Sequence, residues 1–199
     1  MADTELLRIG LDLEKTKLPA IDRESMLYQE IFGQIQAEYD RVSLLWFGRM
    51  KDIAQTLNVT EQLATTVWFA ETVLNMSEHP TFKFMYGFLM GLFNYRGYCW
   101  EDESGKVHIG LDEGWFESLI ESYAHAAPSP KIATKIIDIT IAEEVFHAFM
   151  RQYHPELAEE NISANNSVDT SEYWDSWGEK AAKEFAFWLV NQMAATDLA

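Results

Sequence analysis

Apolar residues return at roughly every third or fourth position through most of this chain. Met26, Ile31, Ile35, Val42, Leu45, Phe47 and Met50 line one face of a helix at that spacing. With Asp22 as N-cap, the pattern predicts a helix over residues 22–57. Thr60 and Glu61 cap a second helix over 60–76. Pro80 then opens a third apolar run, 81–93, in which Phe82, Phe84, Met85, Phe88, Leu89 and Leu92 fit a buried helix better than a strand. The run is long, and Gly87 and Gly91 would let another helix approach closely.

The texture then changes. Tyr95-Arg96-Gly97-Tyr98-Cys99-Trp100 is aromatic and β-prone, residues 101–105 form a polar turn, and Lys106-Val107-His108-Ile109-Gly110-Leu111 alternates, so a β-hairpin is predicted. Helical spacing resumes over 113–124, over 131–153 after the Pro128-Ser129-Pro130 joint, and over 171–193. The expectation is an α+β, mostly helical fold. A helical N-terminal part (1–94) joins a domain (95–199) with a small antiparallel β-hairpin or sheet, and the two form one compact unit.

Composition narrows the class. The 199 residues, 48% hydrophobic with seven Trp and twelve Phe, are enough for a sizeable core and too apolar for a disordered chain. One cysteine, Cys99, excludes an intramolecular disulfide and a Cys-type zinc site, which fits a reducing compartment. The first residues, Met1-Ala2-Asp3-Thr4-Glu5, are acidic where a secretory signal is basic, and no apolar stretch approaches the ~20 residues that span a bilayer. A cytoplasmic location is expected.

The net charge is −17. Residues 101–199 hold 19 acidic against 6 basic side chains, so −13 of it lies in the second half. That field disfavours direct contact with nucleic acid or anionic membrane and favours a cation or a protein partner with a basic surface. Solubilising an aromatic-rich protein is the plainer role for the same charge.

The candidate chemistry lies in Thr140-Ile141-Ala142-Glu143-Glu144-Val145-Phe146-His147-Ala148-Phe149. Glu143 and His147 are four apart, share a helix face and can converge on one metal ion. Glu144, one step round the helix, is placed to act as a general base toward water on that metal. The layout is that of the HExxH zinc-peptidase motif with Glu143 in place of the first histidine. A carboxylate there lowers the charge of the site, makes bound water less acidic and shifts preference from Zn toward harder divalent cations. Glu179, within Trp177-Gly178-Glu179-Lys180-Ala181-Ala182-Lys183-Glu184-Phe185-Ala186, offers a third ligand, and Lys183 or Arg151 could instead neutralise the carboxylates.

Glu179-x-x-Ala182-x-x-Phe185-Ala186 resembles the downstream segment of gluzincins, and the hairpin, helix and apolar lead-in before the motif resemble small intracellular members of that group. Over about residues 95–190 the chain looks like an ImmA/IrrE-type metallopeptidase or a related phage or plasmid protein. In that family two histidines and the downstream glutamate bind zinc, and the glutamate after the first histidine activates water. The resemblance therefore implies His147 and Glu179 as ligands and Glu144 as base, with Glu143 the departing position.

Three functions compete. The leading expectation is a degenerate zincin-like homologue that acts through protein contacts, its acidic surface occupying a basic site as an inhibitor or nucleic-acid mimic does. The alternative is an active metal-dependent peptidase using Glu143, His147, Glu179 and Glu144. A ferritin-like di-iron bundle, the third, needs a second Glu-x-x-His; Glu71 alone could contribute, and the hairpin has no place in such a bundle. His79, His108, His125 and His154 read as caps or surface residues, His154 as a substitute ligand if its helix continues that far. Trp174 and Trp177 would line the cleft.

Overall fold

A computed structural model describes residues 20–53, 59–85, 96–125, 130–159 and 176–196. Among them run α1 (Met26–Ile53), α2 (Val59–Val73), β1 (Thr81–Met85), β2 (Gly97–Glu101), β3 (Val107–Asp112), α3 (Glu113–His125), α4 (Pro130–Tyr153) and α5 (Trp177–Thr196). The fold is mostly helical with a small three-stranded mixed sheet, as the α+β expectation required.

Local chemistry sets the ends of these elements. Ser25, rather than Asp22, caps α1: its Oγ accepts the Tyr28 N–H at 3.2 Å and its carbonyl the Gln29 N–H at 3.1 Å. Asp22 shapes the preceding turn, its Oδ1 accepting the Glu24 N–H at 3.0 Å. Helix α2 stops at Val73, short of residue 76, because Asn75 adopts a left-handed φ of 54°. The Met76 N–H then reaches back to the Glu71 carbonyl at 2.9 Å and the Asn75 N–H to that of Thr72 at 3.1 Å, a Schellman ending. Asp112 Oδ1 accepts the Trp115 N–H and so starts α3 directly from β3.

The run at 81–93 departs from its expected helix. Residues 81–85 form β1, paired parallel to β3 with Phe82 opposite Ile109 and Phe84 opposite Leu111; residues 86–93 lie outside the described residues. Thr81-Phe82-Lys83-Phe84 alternates polar and apolar, the strand period, and pairing with a buried neighbour decides what a short run leaves ambiguous. The sheet order is β1-β3-β2, with the expected antiparallel hairpin formed by β2 and β3. Asp102 ties its turn: Oδ1 accepts the N–H groups of Ser104 and Lys106 and the Ser104 hydroxyl, and Oδ2 lies 2.7 Å from His108 Nε2. Gly105 takes φ 81° there, a conformation that favours glycine.

Helix α4 is central. It contacts α2, α3, α5, β2 and β3, and Ile141, Ala142, Val145, Phe146 and Ala148 are completely buried. Against it α5 sets Ala181, Ala182, Phe185 and Ala186, also completely buried. Ala182 and Ala186 share one face of α5 with Glu179, and across the α4–α5 contact the Phe146 and Phe185 rings meet at 5.2 Å. Phe146 also stacks with Phe32 of α1 at 6.2 Å, and each ring so buried stabilises the fold by roughly 1.5–3 kcal/mol. A chain of rings continues from Phe185 through Trp188 and Tyr39 to Phe69 of α2, so the N-terminal helices share the core of the later ones. No helix among the described residues is long and apolar enough to cross a membrane.

The close α4–α5 approach predicts that Ala182→Leu, which adds volume where no space remains, destabilises the protein by ~1–3 kcal/mol. Urea unfolding measures this, and an unchanged midpoint would show that the helices are not in contact there.

Candidate metal centre

Ser176 fixes where α5 begins, its Oγ accepting the Glu179 N–H at 3.4 Å and its carbonyl the Lys180 N–H at 3.2 Å. Glu179 therefore sits in the first turn of α5, where an acidic side chain suits the helix dipole, and packing turns it toward α4. There Glu143 and His147 project one helical turn apart. One potential ligand atom from each of Glu143, His147 and Glu179 lies within 4.8 Å of the others. Among the described residues this is the one His, Cys, Asp and Glu group with such geometry.

The contacts inside the group are uneven. Glu179 is 2% exposed. Its Oε1 lies 2.7 Å from Lys183 Nζ, one turn further along α5. Its Oε2 lies 3.4 Å from His147 Nε2 but, although buried, makes no hydrogen bond. A buried carboxylate oxygen whose one near partner is an imidazole nitrogen at 3.4 Å is poorly satisfied among the described residues.

Glu144 is buried beside the group, its carboxyl turned toward the start of β2. A Cβ on Gly97 would stand 2.5 Å from Glu144 Cγ and Oε1. Glycine in a strand here permits a close approach, as it often does.

Burial and mutual repulsion divide the protons. Burial first, and then the nearby charge of Glu179, raise the Glu143 carboxyl well above the usual carboxylate range, with Lys183 and Arg96 opposing. Glu144 is raised by burial, then by Glu143 and Glu179, with Arg151 opposing. Burial would raise Glu179 too, but His147 and Lys183 outweigh it and hold that carboxyl below the usual range. Glu179 is thus held toward its ionised form, Glu143 holds a proton near neutral pH, and Glu144 is shifted toward its protonated form. Arg96, its guanidinium 4.7 Å from the Trp115 ring centroid, is lowered by burial and supported by Glu143. Cys99, on β2 beside Glu144 and Arg151, is pushed up to about 12 by burial and then by Glu144, so it stays a thiol and offers neither nucleophile nor thiolate ligand.

The other histidines stand elsewhere. His79 Nδ1 lies 2.8 Å from Glu71 Oε2, which occupies the carboxylate that a di-iron bundle would have borrowed. His108 is held by Asp102 in the hairpin. Helix α4 ends at Tyr153, and His154 turns its ring onto Phe149, with Nδ1 3.7 Å from Glu156; it is not in the group. Trp177 is partly buried and its indole Nε1 has no hydrogen bond. Trp174 and the side chain of His125 lie outside what the structure describes.

The four residues singled out by motif spacing are thus neighbours. Arg96 and Gly97, which the spacing does not single out, face Glu143 and Glu144 from the start of β2. A glycine inside an aromatic, β-prone run is the available signal for the second; nothing in the order of residues points to the first. No protein-family model matches the chain, and no curated protein or solved structure is significantly similar to it. Fold and site alone therefore define the class: a mostly helical α+β protein with a Glu–His–Glu cluster between two helices.

Gly97→Ala should destabilise the protein by ~1–3 kcal/mol, because Cβ and the buried Glu144 stem cannot share the space. A double-mutant cycle with Glu144→Ala tests the contact: most of the Gly97→Ala effect should vanish when Glu144 is shortened, and additive effects would place the clash elsewhere.

Proposed function

We propose that this centre binds one divalent cation through Glu143, His147 and Glu179 and supports zincin-type hydrolysis of a peptide bond, with Glu144 managing the proton. The observation that carries the reading is the Glu143, His147 and Glu179 group, with one possible ligand atom from each within 4.8 Å of the others; Glu179 Oε2 in it is buried, makes no hydrogen bond among the described residues and has His147 Nε2 at 3.4 Å. Two carboxylates and one imidazole make a donor set that divalent cations from Mn²⁺ to Zn²⁺ accept. A cation so held supplies Lewis acidity and lowers the pKa of water. Glu144, in its ionised form, would accept a proton from water and return it to the leaving amine; burial and the charges of Glu143 and Glu179 raise its affinity for that proton. Gly97 leaves room for that carboxyl against the strand, and the α4–α5 contact keeps water from the inner side of the group.

A second reading has its own support. Lys183 already stands on Glu179 Oε1, as a scaffold that has lost its metal would require, and the acidic surface would then act by protein contact with a basic partner.

Metal analysis of protein purified without chelator separates the two. The hydrolase reading expects about one bound cation per chain, lost in His147→Ala and in Glu179→Ala. Glu144→Gln should keep the metal and lose peptide hydrolysis by roughly two orders of magnitude or more. No uptake of added Zn²⁺ or Mn²⁺, with stability indifferent to both ligand substitutions, leaves the scaffold.

The proton distribution sets the pH dependence. Glu143 is raised and so holds a proton near neutral pH, whereas a ligand must be a carboxylate. Binding therefore releases protons, and apparent affinity rises from mildly acidic to mildly alkaline pH. Calorimetry in buffers of different ionisation enthalpy reads the release, which Glu143→Gln should reduce. A pH-independent affinity would remove Glu143 from the ligand set.

A further inference from the structure

Lys183 follows Glu179 by one helical turn, the spacing at which side chains on a helix surface meet. Its ammonium is directed at a carboxyl that is almost completely buried. A carboxylate removed from water must be protonated or paired. The two oxygens here have different surroundings, since Oε1 meets an ammonium at 2.7 Å and Oε2 lies 3.4 Å from His147 Nε2. The side chain of Lys183 is itself 23% exposed, so its charge reaches the group while its stem stays partly hydrated.

We propose that Lys183 is a tethered counter-cation for the centre: its ammonium balances Glu179 while no metal is bound, which keeps the metal-free protein folded and makes metal loading weak and reversible. The inference rests on the metal-binding reading of the group and adds a regulatory role for a residue outside the ligand set. Its physical content is a single sign. An ammonium on one oxygen of Glu179 lies close to any divalent cation on the other, and like charges so near repel. Removing the lysine charge therefore has two effects from one cause. The metal-free protein is left with a less compensated buried carboxylate and loses stability, and the more negative group binds a cation more tightly. A lysine that merely oriented Glu179 as a ligand would act in the opposite direction, since losing such a partner weakens metal binding.

The test uses the full chain and Mn²⁺ as probe, in wild-type, K183M and K183R proteins. Competition with a chelating dye gives affinity, and thermal unfolding with and without metal gives stability. K183M should bind Mn²⁺ on the order of tenfold more tightly. Its metal-free midpoint should fall by about 5 °C, and saturating metal should close that gap. K183R, which keeps the charge, should stay near wild type on both measures. K183Q is expected to follow K183M and replaces it if K183M does not fold. Equal or weaker binding in the uncharged variants overturns the inference while leaving the metal centre in place. Wild-type protein that takes up no Mn²⁺ or Zn²⁺ overturns both.

Discussion

Two helices can bring polar side chains face to face deep in a protein only if their contact surfaces are small elsewhere, and the junction of α4 with α5 meets that condition. Ala182 and Ala186 share the face of α5 that carries Glu179 and are completely buried, so that face is small beside the carboxyl. The bulky residues Phe146 and Phe185 interlock beside them and set the rotation of each helix. Glu179 stands one turn before Ala182 and His147 directly after Phe146. The packing that excludes water from the alanines therefore also delivers the two polar groups to the same place. Positioning and stability share one interface, and its residues serve the site without touching anything that could bind there.

Such an interface makes the electrostatics demanding. Three carboxyls, at 143, 144 and 179, are gathered where solvent is scarce, and the proton affinities of Glu143 and Glu144 rise with the charge of their neighbours. Cations answer on every side: Lys183 from α5, Arg151 from the end of α4, and Arg96 from the start of β2. Glu179 is the carboxyl held toward its ionised form, because it is ion-paired with both His147 and Lys183. The group is therefore poised rather than neutralised throughout. One fixed negative charge sits beside two carboxyls whose proton affinity is raised, and a positive charge brought to the group would lower it.

How much of this is legible in the sequence follows from the range over which each determinant acts. Helix periods, the hairpin and the spacing of Glu143, Glu144 and His147 are local, and they stand in the order of residues. The partnership with Glu179 spans two elements, yet Ala182, Phe185 and Ala186 repeat at helical spacing after it and mark the face that packs on α4. The run at 81–85 misleads because its partner matters more than its own pattern. Its strand state comes from β3, a distant segment that offers Ile109 and Leu111 as neighbours. The cap at Ser25 rather than Asp22 is a smaller case of the same kind, since two good capping residues lie three apart and the one that meets the first helical N–H prevails. Arg96 is invisible for a stronger reason. A single basic residue before a strand carries no pattern, and only the folded sheet brings it to Glu143.

That contact bears on how a carboxyl can stand at position 143. An imidazole at position 143 would be neutral near physiological pH and could be buried at little electrostatic expense, whereas a carboxyl there adds a potential negative charge beside Glu144 and Glu179. The structure holds counterweights suited to that carboxyl. Arg96 packs its guanidinium against Trp115 and supports the ionised form of Glu143, and Lys183 supports it from the other helix. Neither would benefit a histidine at 143, since both would repel its protonated form. Arg96 and Lys183 thus belong with Glu143 as one electrostatic arrangement: the carboxyl is matched by two cations, one from each side. Glu143 is accordingly in electrostatic balance with its surroundings.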